Sequence, residues 1–220
     1  MALCARIIRQ GDVVFDIGGH IGYTALYFAS LVGSRGKVFT FEPAPPNLPY
    51  IRANVATHKN VVLVEQAVGA DNGLTAFWTE ELTGQNCSII PGYFALAGTA
   101  KSHGVRALTR ELTIEIVTLD SFAERVGVEP NFVKIDVEGA EGLVLRGMRD
   151  ILASARPRIM IEVTSDPNTV FETLAGAGYL LFDEKRRRLA QPGEFRQAGP
   201  NRFAIPAEDS EALEEVGGRT

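Results

Sequence analysis

Short apolar runs alternate along the chain with longer stretches whose apolar residues recur at helical spacing. Val13–Asp16 is the first short run, and Ile21–Val32 follows it with a helical period. Lys37–Glu42 (KVFTFE) repeats the strand pattern and Pro43 closes it. A helix is expected from about Pro46 to Ala56, with Pro49 tolerated because it falls in or near the first turn. Val61–Val68 reads as a third strand. After the turn signal DNG at Asp71–Gly73, Leu74–Thr79 alternates like an exposed strand, and Leu112–Thr118 alternates too and is expected to pair with it.

The second half resumes the pattern. Phe132–Asp136 reads as a strand, and Gly139–Ala153 as one helix with Leu143, Val144, Gly147, Met148, Ile151 and Leu152 on one face. Arg158–Val163 is a further strand. Asp166–Asn168 (DPN) then opens a helix, with Asp at the N-cap and Pro at the first helical position. Leu180–Asp183 and Asn201–Ile205 form a closing antiparallel pair around the basic run Lys185–Arg188, which reads as a solvated turn. The pattern predicts an α/β fold: a doubly wound, mostly parallel seven-stranded Rossmann-like sheet with a C-terminal antiparallel hairpin. One domain is expected over 1–208, with an acidic, glycine-ended tail over 209–220 that should fray.

The segment from Glu80 to Glu111 has no period. Structureless loops of that length in compact domains are lids, binding loops or disordered. Its stretch GYFALAG (Gly92–Gly98) is apolar enough to pack over a substrate or over a second subunit, so a homodimer through 80–111 is one arrangement open to it. His103, in the same segment, suits either a site or the surface, while His58 follows a helix and is expected at the surface.

Composition narrows the partners. With 220 residues, 45% hydrophobic and 22% charged, the chain is long enough for one well-buried α/β domain. A net charge of −5 argues against non-specific attraction to nucleic acid or to an anionic membrane. No apolar run approaches a membrane span, and MALCARIIRQGD lacks the apolar centre of a signal peptide, so a cytoplasmic location is expected. The two cysteines, Cys4 and Cys87, suit free thiols in a reducing compartment; neither belongs to a CxxC pair that would bind metal.

In a doubly wound sheet, ligands bind beyond the carboxyl ends of the strands where strand order reverses. Here those ends carry Asp16 and Gly18–Gly22, then Glu42, then Glu65–Ala67, then Asp136–Glu141, then Glu162. Such carboxylates suit a cation or a polyhydroxylated ligand, not a phosphate. The glycines of FDIGGHIGYT (Phe15–Thr24) also fail the G-x-G-x-x-G frame of a dinucleotide site, because Ile17 stands where its first glycine belongs. The frame instead reads D-x-G-x-x-x-G from Asp16 through Gly18 to Gly22.

S-adenosylmethionine fits this chemistry, having a sulfonium, an ammonium and a carboxylate but no phosphate. Gly18, Gly19 and Gly22, with Tyr23 and Thr24, would let the backbone approach it, and Asp16 would receive its ammonium directly or through water. Glu42 would accept bonds from both ribose hydroxyls, and Gln66 with Ala67 would meet the adenine edge. Asp136 and Glu138, two residues apart at the fourth strand's tip, would share the acceptor's proton. With Glu162 they are also the carboxylates open to a divalent cation. His20 is the alternative base, since imidazole titrates near neutrality. Glu141, in the first turn of its helix, serves the helix dipole or the site.

FDIGGHIGYT, FEPAPPN, TLD (Thr118–Asp120), KIDVEGAE (Lys134–Glu141) and RPRIMIEV (Arg156–Val163), in that order, resemble the FkbM-type S-adenosylmethionine-dependent methyltransferases over about Gly11 to Val163. The resemblance implies the class I methyltransferase fold and O-methylation of a hydroxyl on a small natural product or sugar. In that family Ala-Asn is common where Gly19-His20 stands here, which leaves the role of position 20 open. Little chain precedes the first strand, so an N-terminal cover over the cofactor is expected to be short or absent. The other readings are an N-methyltransferase on the same fold, a nucleotide-binding dehydrogenase and a catalytically silent binder.

Overall fold

A computed structural model describes residues 1–80, 87–91 and 109–217. The stretch Gly92–Gly98, His103 and most of the proposed lid or dimer segment lie outside the described residues.

Strands β1 (Val13–Ile17), β2 (Lys37–Phe41) and β3 (Val61–Val64) form one half of the main sheet. Strands β7 (Phe132–Ile135), β8 (Arg158–Glu162), β9 (Tyr179–Asp183) and β10 (Asn201–Pro206) form the other. The order is β3-β2-β1-β7-β8-β10-β9, in a seven-stranded sheet parallel from β3 to β8 and antiparallel over the last two strands. Strand order reverses between β1 and β7, so their carboxyl ends open the crevice that such sheets offer to ligands.

Period-two alternation sends successive side chains to opposite faces. Phe15 and Phe39 enter one core, with Phe41 and Phe122; their ring centroids lie 4.8–5.9 Å apart, edge to face. The helices on that side include α4 (Leu119–Val126), α5 (Glu141–Arg146), α6 (Arg149–Ala153) and α7 (Pro167–Gly176). Val14, Val38, Phe132 and Met160 face a second core, with α1 (Cys4–Ile7), α2 (Tyr23–Val32) and α9 (Ser210–Gly217). Asp166 caps α7, accepting a bond from the Thr169 amide, with Pro167 next to it as the spacing predicts.

Four features depart from the sequence reading. The expected third strand stops at Val64; Glu65 turns out to pair with Arg52, and Ala67–Val68 becomes β4 of a separate three-stranded sheet. In that sheet β5 (Gly73–Glu80) and β6 (Thr109–Val117) are antiparallel partners, as their alternation implies. The helix expected over Gly139–Ala153 divides at Gly147, where a Cβ would stand 2.0 Å from the Gly69 carbonyl oxygen, and Asp120 caps the second piece by accepting the Asp150 and Ile151 amides. Between β9 and β10 runs α8 (Pro192–Gln197), held by a Gln191–Glu194 capping box. The tail expected to fray from Asp209 instead forms α9, whose Ala212 and Val216 are buried against the second core. The Asp209 carboxylate bonds the Arg158 guanidinium at 2.7 Å and caps α9 through the Ala212 amide.

Candidate active site

The β1 tip turns on glycines because nothing larger fits. Gly18 has φ +85° and its Cβ would lie 1.8 Å from the Asp136 carbonyl oxygen, so the ends of β1 and β7 are in backbone contact. Gly19 would drive a Cβ to 2.1 Å from Thr40 Oγ1. Both amides donate to the Phe41 carbonyl, at 3.0 and 2.9 Å, tying the turn to the β2 tip. His20 follows in the left-handed region at φ 49°, and its amide donates to Glu42 Oε2 at 2.7 Å.

Below the turn lies a row of side chains set by strand register, in which Thr40 and Lys134 both stand opposite Asp16. Asp16 is fully buried and accepts bonds from Thr24 Oγ1 at 2.9 Å and Thr40 Oγ1 at 3.1 Å, with the Lys134 ammonium at 3.3 Å. Burial pushes its carboxyl upward against those partners. Asp16 thus braces the turn from beneath, and Thr24 braces Asp16. Tyr23, at the start of α2, is 72% exposed.

Lys134 is the residue that the sequence reading passed over. It is 4% exposed, donates to the Gly18 carbonyl at 2.9 Å, and lies 3.3 Å from Asp136 Oδ2. Burial opposes its charge, but Asp16 and Asp136 outweigh that and raise its pKa. A signal was present: a lysine inside an otherwise apolar strand, two residues before an aspartate, puts both on one face of β7.

Above the turn, Gly18, His20, Glu42, Asn47, Asp136, Glu138 and Glu162 surround a polar cleft of about 280 Å³. Glu42, 5% exposed, accepts from the Ala44 amide at 2.8 Å and Asn47 Nδ2 at 3.3 Å as well as from His20; burial still pushes its pKa up to about 7. Asn47, the last residue of FEPAPPN, lines the cleft and was not anticipated. Glu162 is half-buried and its pKa is raised, first by burial and then by the like charge of Asp136.

Next to the cleft, and sharing Gly18 and Asp136 with it, is an apolar pocket of about 50 Å³ walled by Phe41, Pro43, Ala67, Phe77, Ile89 and Ala140. Gln66 lines it too, but its amide is held from outside, donating to Glu115 at 2.7 Å and accepting from Arg125 at 3.3 Å. The segment 87–91 is fastened over this region by Ser88 Oγ, which donates to the Glu138 carbonyl at 2.7 Å. Glu138 and Gly139 turn through positive φ, 48° and 95°. Glu141 secures that turn from inside the protein, accepting the Gly139 amide at 2.9 Å and Thr164 Oγ1 at 2.7 Å; it does not line the cleft.

Among the described residues, no group of three or more His, Cys, Asp or Glu is arranged to hold a metal ion. His58 is exposed, and Arg186 and Arg187 turn the chain after β9 through bonds to Asp183. A larger hollow of about 620 Å³ borders α4 and α6, away from the strand tips; Asp120, on its wall, is engaged in capping α6. No helix among the described residues is long and apolar enough to cross a membrane.

The model of the methyltransferase FkbM domain family matches residues 16–189. The chain is 28% identical over 173 residues to the hexuronic acid methyltransferase AglP of Haloferax volcanii, covering 77% of this chain and 64% of that protein. It is 28% identical over 203 residues to the 31-O-demethyl-FK506 methyltransferase FkbM of Streptomyces tacrolimicus, covering 81% of this chain and 76% of that protein. The chain thus spans just under two thirds of the first of these relatives. Among solved structures, a methyltransferase FkbM from Methylobacillus flagellatus KT superposes with a TM-score of 0.55 at 14% identity, over 88% of this chain and 43% of that one, a likeness of fold.

Proposed function

The chain belongs to the FkbM methyltransferase domain family, and on that footing we propose that it moves a methyl group from S-adenosylmethionine to a hydroxyl of a small natural product or sugar. The observation that carries this reading is the junction of two unlike pockets at Gly18 and Asp136, one apolar and one lined by carboxylates. The apolar walls of the first suit one edge of a purine, whose whole ring exceeds that pocket's volume, and a ribose with a cationic amino-acid end suits the second. Phosphates would meet Glu42, Asp136, Glu138 and Glu162 together, which argues against a dinucleotide.

S-adenosylmethionine, when bound, supplies a methyl already activated by its sulfonium. The chain's part is to hold and align. Glu42 accepts the ribose hydroxyls, and the glycine turn admits the ligand close to backbone amides. Transfer forms a carbon–oxygen bond as the carbon–sulfur bond breaks; the bonding pair stays on sulfur, and the hydroxyl proton passes to a base. Asp136 is that base, held at the cleft by Lys134, and it need only accept the proton as the new bond forms. The same carboxylates would also hold an amine, which keeps N-methylation as the second reading.

The test is incubation of the protein and methyl-labelled S-adenosylmethionine with extract of the source organism, followed by mass spectrometry. A product heavier by one methylene, whose label survives mild acid and alkali as an ether does, is expected. Label on a basic nitrogen would select the second reading, and no transfer at all would contradict both.

A further inference from the structure

Lys134 reaches three groups at once: the Gly18 carbonyl at 2.9 Å, Asp16 Oδ1 at 3.3 Å and Asp136 Oδ2 at 3.3 Å. Two of these, Gly18 and Asp136, are the residues common to the polar cleft and the apolar pocket. In S-adenosylmethionine the sulfur joins the nucleoside to the amino-acid portion. With the purine in the apolar pocket and the ribose on Glu42, as proposed above, the sulfur lies farther along, within the cleft that Asp136 lines, and the Lys134 ammonium stands behind that carboxylate.

Among the described residues, the other charges around the cleft are acidic. Glu42, Asp136, Glu138 and Glu162 line the cleft, and Glu141 stands close enough to Glu162 to act on it. Among the described residues, His20 is the remaining titratable side chain on the cleft wall. Arg202, 4% exposed, is occupied by the carbonyls of Phe195, Val163 and Pro200. Such a field favours a sulfonium strongly over a neutral thioether. Methyl transfer removes the positive charge from sulfur, so the same field stabilises the bound reactant more than the transition state and slows the step. A buried cation behind Asp136 offsets part of that field without entering the cleft.

We infer that Lys134 is a specificity-determining residue of the cofactor site: paired with Asp136 and the Gly18 carbonyl, it sets how strongly the site prefers the sulfonium reactant to its thioether product. The inference rests on the methyltransferase reading.

Calorimetry with S-adenosylmethionine and S-adenosylhomocysteine, on wild type, Lys134→Met, Lys134→Arg and Asp136→Asn, tests it. Lys134→Met should shift the affinity ratio severalfold toward S-adenosylmethionine and lower turnover, while Lys134→Arg keeps the wild-type ratio. Asp136→Asn should shift the ratio severalfold the other way. Lys134→Met leaves Asp16 buried without its cation; should that variant not fold, Lys134→Gln decides in the same direction, because it removes the charge while keeping a donor beside Asp16, which Thr24 and Thr40 also hold. Unchanged ratios in variants that bind both ligands would overturn the inference alone. Failure of wild type to bind either ligand would instead remove the methyltransferase reading, and the inference with it.

Discussion

Glu42 is nearly buried and accepts hydrogen bonds on both oxygens, yet burial holds its pKa up to about 7. Ribose hydroxyls donate to the ionised form, so S-adenosylhomocysteine affinity should rise with pH through about 7 and level off above it. For stability the sign is opposite. The folded pKa lies above the ordinary value of 4.5, so the Glu42 contribution is fully present below 4.5 and is lost as pH rises through about 7. Glu42→Gln should remove the pH dependence of binding and weaken it by about 1–3 kcal/mol, as read by calorimetry across that range. For proton transfer, Asp136→Asn should keep S-adenosylhomocysteine binding and lose most turnover, whereas His20→Ala keeps much of it; wild-type turnover in Asp136→Asn would move the base to His20. Strand tips and a failed dinucleotide frame pointed to Asp16, Gly18, Glu42 and Asp136, and the last three line the cleft. That Asp16 turns inward, with Lys134 beside it, was not legible, because which tip residues turn inward depends on the register of β2, β1 and β7 together.

The β1–α2 turn depends on backbone contact with the β7 tip. Gly18→Ala would put a Cβ against the Asp136 carbonyl at a positive φ and should cost about 3 kcal/mol or more, seen as a lowered unfolding midpoint. Gly142, near the start of α5, has no atom within 4 Å of an added Cβ, so Gly142→Ala should be neutral or stabilise by about 0.5–1 kcal/mol. Equal losses in both would mean that the close approach at Gly18 is not what matters. Strands and helices with strong local periods were legible as elements. The break at Gly147 was not, because the apolar period of Gly139–Ala153 runs straight through it and only the Gly69 carbonyl, distant in sequence, requires the interruption. β3 and β4 likewise read as one strand: only Glu65 and Gln66 separate their apolar residues, no glycine or proline marks a turn, and the change of sheet shows only in the fold.

Across the whole molecule, the two faces of the sheet are closed by different parts of the chain, and one depends on both ends of it. Cys4 and Ile7 of α1 and Ala212 and Val216 of α9 pack into the same core as Phe28 and Phe132. The acidic composition of residues 209–217 hid this, since only Ala212, Leu213 and Val216 of α9 pack inward. Val216→Ala should therefore cost on the order of 1–3 kcal/mol in thermal denaturation, and a frayed tail would cost nothing. The sheet order and the acidic crevice at its switch point together support the central claim, a site for S-adenosylmethionine rather than for a dinucleotide. Calorimetric titration of the wild-type protein with S-adenosylhomocysteine and, separately, with NADH tests that claim most directly. Saturable binding of S-adenosylhomocysteine at one site per chain, with none of NADH, is the predicted result; tight NADH binding without S-adenosylhomocysteine binding would contradict it.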